Sequence, residues 1–558
     1  MKARMPFRSL LTTTSVAALL VASSGAHAAG TTISSGPLST PITADTDFVA
    51  IETTLTNDVG IDGLVISGSG TDVGQITNRF AAVIDISDSG EDLEEGYDGH
   101  LVGIHLTDGA DAYSGISNQG TITVDASSSG LDAGYRDAAG FRADEDAYIE
   151  VASNSGTIAV SATNRNINLS GSDDDQELDA RASAFGIDLN SSSYSFYNYG
   201  SVAATANAQA HSVTDEVVYS DGDAESYSYT VAEAYAVGAS FYTDAVDVDE
   251  DYWLPVVVGT MYNEDGITVR ANATGTSDSN AEARVDVSCT VSESGCSDIG
   301  EALGDGYGTA TASAYGVRAD GHNARTGSFE NYGVIDVVAT SRFTGIASAS
   351  SEDESADARA GAHRDYYDID EGLYNTFSDY SQSDATGVAL DAMEIDGDVD
   401  NHNFIIAGAH AYGAADAQAY STDEATAEVG AYASAIAKGI DIDTLLMHGG
   451  FSNDGRIEAV SGVHLNNNVD EETDPVFASA SSGYDSDASV YLYGQSRATG
   501  VEVDAHSMTG NFYTHGNEEG DGIYATATAT SSALASAAMD ASISGSGEGN
   551  AEAHVFTS

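Results

Sequence analysis

A short frame recurs along this chain: Ala-x-Gly-(Ile/Val), followed within roughly ten to twenty-five residues by Asn-x-Gly-x-(Ile/Val). Phe185-Gly186-Ile187 precedes Asn198-Tyr199-Gly200-Ser201-Val202, and Tyr315-Gly316-Val317 precedes Asn331-Tyr332-Gly333-Val334-Ile335. Lys438-Gly439-Ile440 likewise precedes Asn453-Asp454-Gly455-Arg456-Ile457. A unit this short cannot close a hydrophobic core alone, so its copies must stack and share one. The chain is therefore expected to be a solenoid. Each turn then touches only its neighbours, and 558 residues need not split into several globular domains.

The Asn element also stands at Asn118 and Asn154, with looser forms from Asn263, Asn401 and Asn517. Asn and Gly both tolerate positive φ, so the pair predicts a tight turn that feeds a strand. The segments that follow alternate, as in Thr121-Ile122-Thr123-Val124-Asp125-Ala126, with apolar residues on one face. Intervals between successive Asn positions begin at 36 and 44 residues and later run from 52 to 70. Coils of roughly twenty-odd residues would place two or three coils in each frame, giving twenty-odd rungs and a rod on the order of 100 Å.

Alanine alternates ahead of each frame glycine, for example Ala180-Ala182-Ala184-Gly186 and Ala310-Ala312-Ala314-Gly316. Phe185, Ile187 and Leu189 have the opposite parity, which a bulge at the glycine would reconcile by switching faces. Acid-, Ser- and Tyr-rich stretches at 171 to 179, 212 to 230, 274 to 306, 351 to 383 and 468 to 490 read as acidic loop insertions on one side of the solenoid.

Residues 1 to 28 have the layout of a secretory signal: Lys2, Arg4 and Arg8, an apolar run from Ser15 to Ala22, and Ala26-His27-Ala28 as the cleavage site. The apolar run is well short of the roughly 20 residues that span a bilayer. Those three cations belong to the 18 basic residues, so the rest holds 15 against 88 acids, a formal −73. Nucleic acid is excluded as a partner, because phosphate contacts need a basic face. A self-repelling acidic surface suits salty water, where screening lowers its cost. Apolar residues at 42% and only five prolines favour ordered β structure over disorder.

No nucleophile elbow, zinc-binding helix, P-loop or dinucleotide fingerprint is present, and the 13 histidines are scattered. Carboxylates are the abundant functional group. Asp396, Asp398 and Asp400 alternate, as do Asp247, Asp249 and Asp251, so each set places three oxygens on one face of an extended segment. Two readings stand: Ca²⁺ held with backbone carbonyls, or a solvated acidic face. Cys289 and Cys296 are expected to close a local disulfide loop if the chain is exported. Tyr194 to Tyr197, Phe241-Tyr242, Tyr366-Tyr367 and Tyr491 to Tyr493 offer stacking surfaces for a sugar or a partner; the plainer reading is stacking between coils.

Taken together, the export signal, the Gly-(Ile/Val) and Asn-x-Gly-x-(Ile/Val) strands and the Ser/Thr/Gly/Ala/Asp composition resemble the passenger regions of bacterial autotransporters, the type V secreted surface proteins. The resemblance covers most of residues 60 to 530. It implies an all-β, right-handed parallel β-helix displayed at a Gram-negative cell surface, in adhesion or biofilm. It also implies an outer-membrane translocator barrel after the passenger, whereas this sequence reaches Ser558 within another Ala/Ser stretch; two readings follow, a fragment of a longer chain or a protein that leaves the cell by another route. The organisation expected is a signal at 1 to 28, a cap or lead-in at 29 to 60, and the solenoid from 61 to 558. A non-catalytic adhesin or structural passenger with a surface, glycan or protein ligand is the first functional expectation. A calcium-dependent surface-layer or matrix protein and a β-helical polysaccharide-degrading enzyme are the alternatives.

Overall fold

The computed structural model describes residues 30–34, 41–57, 62–88, 100–130, 135–144, 147–172, 176–190, 193–219, 223–242, 256–284, 301–352, 354–361, 381–465, 476–515, 522–539 and 549–557. The signal layout at 1 to 28, the aspartates 247, 249 and 251, and both cysteines lie outside the described residues. Among the described residues every regular element is a strand, and their pairings are parallel. The molecule is a parallel β-helix.

One coil shows the plan. A long leading strand, Ala224–Tyr242, is followed by a short strand, Val256–Asn263, and a long trailing strand, Ile267–Arg284. The leading strand pairs with Gln176–Leu189 in the preceding coil and Ala302–Asn331 in the next. The trailing strand pairs with Ser201–Tyr219 and Ile335–Ser351. Ten trailing strands stack in one path, from Thr54–Asn57 to Gly522–Ser531. Thr31–Ile33, Thr46–Ile51 and Thr54–Asn57 join the same ladders, so rungs begin within the expected lead-in.

Asn198 pairs with Asn263, and Asn263 with Asn331. One frame is therefore one coil, not two or three. Among the described residues the ten stacked trailing strands, at about 4.8 Å per rung, span roughly 45 Å, less than half the expected length. The extra residues lengthen each coil sideways. Strands of 19 and 18 residues in the coil above run beyond a three-sided base into a flat arm, where leading and trailing strands face each other. Most of 212 to 230 is accordingly paired strand, since one strand runs to Tyr219 and the next starts at Ala224. The physical reason is alternation: Ser212, Thr214, Ser226 and Ser228 face inward and are buried, while acids such as Asp215 and Glu225 face out.

The base core consists of in-register stacks. Ile84, Ile122, Ile158, Val202, Ile267, Ile335, Ile405 and Ile457 form one, all buried. The corner beside it is a glycine column that includes Gly140, Gly186, Gly238, Gly316, Gly387 and Gly439. A Cβ on Gly238 would lie 2.5 Å from the Gly316 carbonyl oxygen and 2.4 Å from Ile267 Cγ2. The chain changes face here: Ala180, Ala182 and Ala184 are buried before Gly186, and Ile187 and Leu189 after it.

The glycines of the Asn-x-Gly element act differently from expectation. Gly120, Gly156, Gly200, Gly333 and Gly455 are absent from the positive-φ glycines. They are small because the neighbouring rung is close: a Cβ on Gly156 would meet the Gly120 carbonyl oxygen at 1.9 Å. The asparagines form a buried side-chain ladder. Each amide of Asn78, Asn118, Asn154, Asn198, Asn263, Asn331 and Asn401 donates to the carbonyl of the next, ending at Asn453, at 2.7 to 2.9 Å.

Candidate functional site

The glycine column fixes which side chains point away from the core on the leading-strand side of the base. Residues two and four before each glycine, and one and three after it, point inward. Those one and three before it, and two and four after it, point outward. In three successive coils this outward set builds a groove of about 290 Å³. Gly186 places Phe185, Asp188 and Asn190; Gly238 places Tyr235, Ser240 and Tyr242; Gly316 places Arg318 and Asp320.

The walls are aromatic. Phe185 and Tyr235 meet at 5.6 Å with their planes tilted by 52°, and Tyr235 meets Tyr315 at 5.9 Å. Arg318 donates to the Tyr235 hydroxyl at 2.5 Å and to Asp320 Oδ2 at 2.6 Å, and lies 5.2 Å from the centre of the Tyr315 ring. Burial pushes the Tyr235 phenol up to about 12, against the opposing pull of Arg318. Burial disfavours the Arg318 charge, but the Tyr235 and Asp320 contacts outweigh it and its pKa is raised. The guanidinium is thus a fixed cation in the groove.

One end of the groove rests on a buried ion network. Arg142 grips Asp137 with two bonds, at 2.6 and 3.1 Å, and donates through Nε to Asp188 Oδ2 at 2.9 Å. His100 Nδ1 lies 2.6 Å from the same Asp137 carboxylate. Arg142, Asp137 and Asp188 are all buried, and Arg142 packs 5.4 Å from the centre of the Phe185 ring. Burial raises the Asp188 pKa despite Arg142, whereas at Asp137 burial is outweighed by Arg142 and His100 and the pKa falls. These groups satisfy one another and hold the Phe185 wall in place. None is arranged as a nucleophile with an adjacent base.

Among the described residues, Asp396, Asp398 and Asp400 do not converge on one point. Asp396 lies 3.6 Å from Arg325, and Asp398 accepts the Gly450 N–H at 2.7 Å. Asp400 follows on the short strand Val399–Asn401, its pKa raised by burial and then by the Asp398 charge. Among the described residues no three His, Cys, Asp or Glu side chains converge as a metal site. The aromatic groups divide. Phe196 and Phe241 are core residues 5.2 Å apart, and Tyr493 stacks on Tyr432 at 4.9 Å, so both pairs join successive coils. Outside the Asn corner, Tyr199, Tyr262, Tyr332 and His402 form a half-exposed column at 5.5, 5.5 and 4.4 Å. Tyr366-Tyr367 lies outside the described residues.

Tyr235, Arg318 and Asp188 did not stand out in the sequence. Counting outward offsets from each frame glycine would have found them, once those glycines are known to stack. No known protein family, curated protein or solved structure matches this chain.

Proposed function

We propose that this chain is an exported, surface-displayed solenoid acting as an adhesin or structural passenger, without catalysis. The observation that carries the reading is the stacking: eight asparagines bond in series through the base from Asn78 to Asn453, so the eight coils that carry them form one body. Such a body resists local opening, because each rung is paired on both sides. The acidic surface keeps it soluble and apart from its copies. The signal layout supports export, with Ala29 as the expected first residue of the mature chain.

The experiment is protease accessibility on intact cells that produce the full-length protein, with attachment of a deletion strain measured in parallel. The reading expects cleavage from outside the cell, a mature chain starting at Ala29, and weaker attachment in the deletion strain. A cytoplasmic protein that retains residues 1 to 28 would contradict it.

A further inference from the structure

We infer that the groove between Phe185 and Arg318 binds the end of a neutral glycan, an uncharged pyranose unit. This adds a ligand class to the adhesive reading and rests on it for its biological setting alone. The walls supply aromatic faces at Phe185, Tyr235 and Tyr242, which suit the C–H face of a sugar ring. The rim supplies planar polar groups at Asn190, Asp320 and Arg318, which match vicinal hydroxyls as donors and acceptors. A groove of about 290 Å³ lies near the small end of ligand pockets, which suits one or two sugar units.

Charge selects among ligands. A formal −70 over the chain repels anionic glycans before they arrive. An aromatic groove lined with carboxylates would otherwise suit an ammonium group, but Asp320 is bonded to Arg318 and Asp188 to Arg142, so both carboxylates are already paired with a guanidinium. A neutral polyol meets neither penalty. Preorganisation favours it too, because Arg318 is held at two points and the Phe185 wall sits on the Arg142 network.

The test titrates the full-length protein with methyl β-glucoside, methyl β-galactoside, N-acetylglucosamine, glucuronic acid and choline, read by saturation-transfer NMR and calorimetry. At least one neutral sugar is expected to bind with a Kd of about 1 mM. Tyr242→Ala is expected to weaken it about tenfold, and Ser240→Phe to abolish it by filling the groove. Melting curves confirm that both variants fold, and Lys438→Gln, two rungs beyond Tyr315 and outside the groove lining, is expected to leave binding unchanged. Absence of neutral-sugar binding overturns the inference, as does stronger binding of glucuronic acid or choline, or neutral-sugar binding that both variants retain. Because the assay uses soluble protein, it fails independently of the attachment experiment.

Discussion

Along the trailing strand Ile267–Arg284 the buried side chains change from Ile267 and Val269 in the base to Ala271, Ala273, Ser277, Ser279 and Ala281 in the arm. Each fully buried Ile or Val contributes about 1.5 to 3 kcal/mol, and an alanine methyl much less. The base is therefore held by apolar stacks and the asparagine ladder. The arm is held by its backbone ladders and by hydroxyl bonds such as Ser226 to Thr214 at 2.8 Å and Ser279 to the Ser226 carbonyl at 2.7 Å. The difference explains the irregular period. Spacing between ladder asparagines runs from 36 to 70 residues while their bond lengths barely change, because the arm absorbs the added length.

Breaking the base should cost most. Asn263→Ala removes the partner of Asn198 and of Asn331, leaving two buried amide groups unsatisfied, so about 4 kcal/mol is expected. Urea unfolding that shifts by under about 1 kcal/mol would remove the ladder from the account. Gly238→Ala forces a methyl against a carbonyl oxygen and Ile267, for about 3 kcal/mol. Gly275→Ala in the arm meets its neighbours only at 3.0 Å and should cost about 1 kcal/mol. Equal losses at the two glycines would erase the contrast between base and arm.

The outer face of the base gives a pH-dependent probe. His105 lies 2.8 Å from Asp62 and 3.1 Å from Asp144. Burial opposes its charge, but the hydrogen bonds to Asp144 and Asp62 outweigh it and raise the pKa from 6.5 to about 9. A folded pKa above the unfolded one means stabilisation that is complete below pH 6.5 and lost as pH rises through about 9. The difference between wild type and His105→Asn should be about 2 kcal/mol at low pH and shrink across that window. A pH-independent difference would mean that the ion pairs do not hold the proton. A second small effect is expected in the arm: Ser279→Ala should cost about 1 kcal/mol, read as faster amide exchange near Ser226.

The strands, their stacking and the face switch at Gly186 were legible because each depends on neighbours in sequence. The coil number was not. Alternating Ala and Ser reads as strand in base and arm alike, so nothing local marks where a coil turns. The acidic stretches misled for the same reason: 212 to 230 has the composition of a loop and the alternation of a strand, and alternation prevailed once both sides found partners. The groove needed register as well as pattern, since Phe185, Tyr235 and Arg318 come from three coils. Of the Asp396, Asp398 and Asp400 series, one member accepts a backbone N–H and another faces an arginine, contacts that alternation in the sequence does not reveal.

Disulfide trapping tests the register most directly, using a background in which Cys289 and Cys296 are replaced by serine. Ala203 pairs with Thr268, and Thr268 with Asp336. One coil per frame puts Ala203 and Thr268 on adjacent rungs, about 4.8 Å apart, within reach of a disulfide. Ala203→Cys with Thr268→Cys should cross-link on mild oxidation, while Ala203→Cys with Asp336→Cys, two rungs apart, should not. Cross-linking of neither pair, or of the second pair alone, would contradict the stacked-coil architecture.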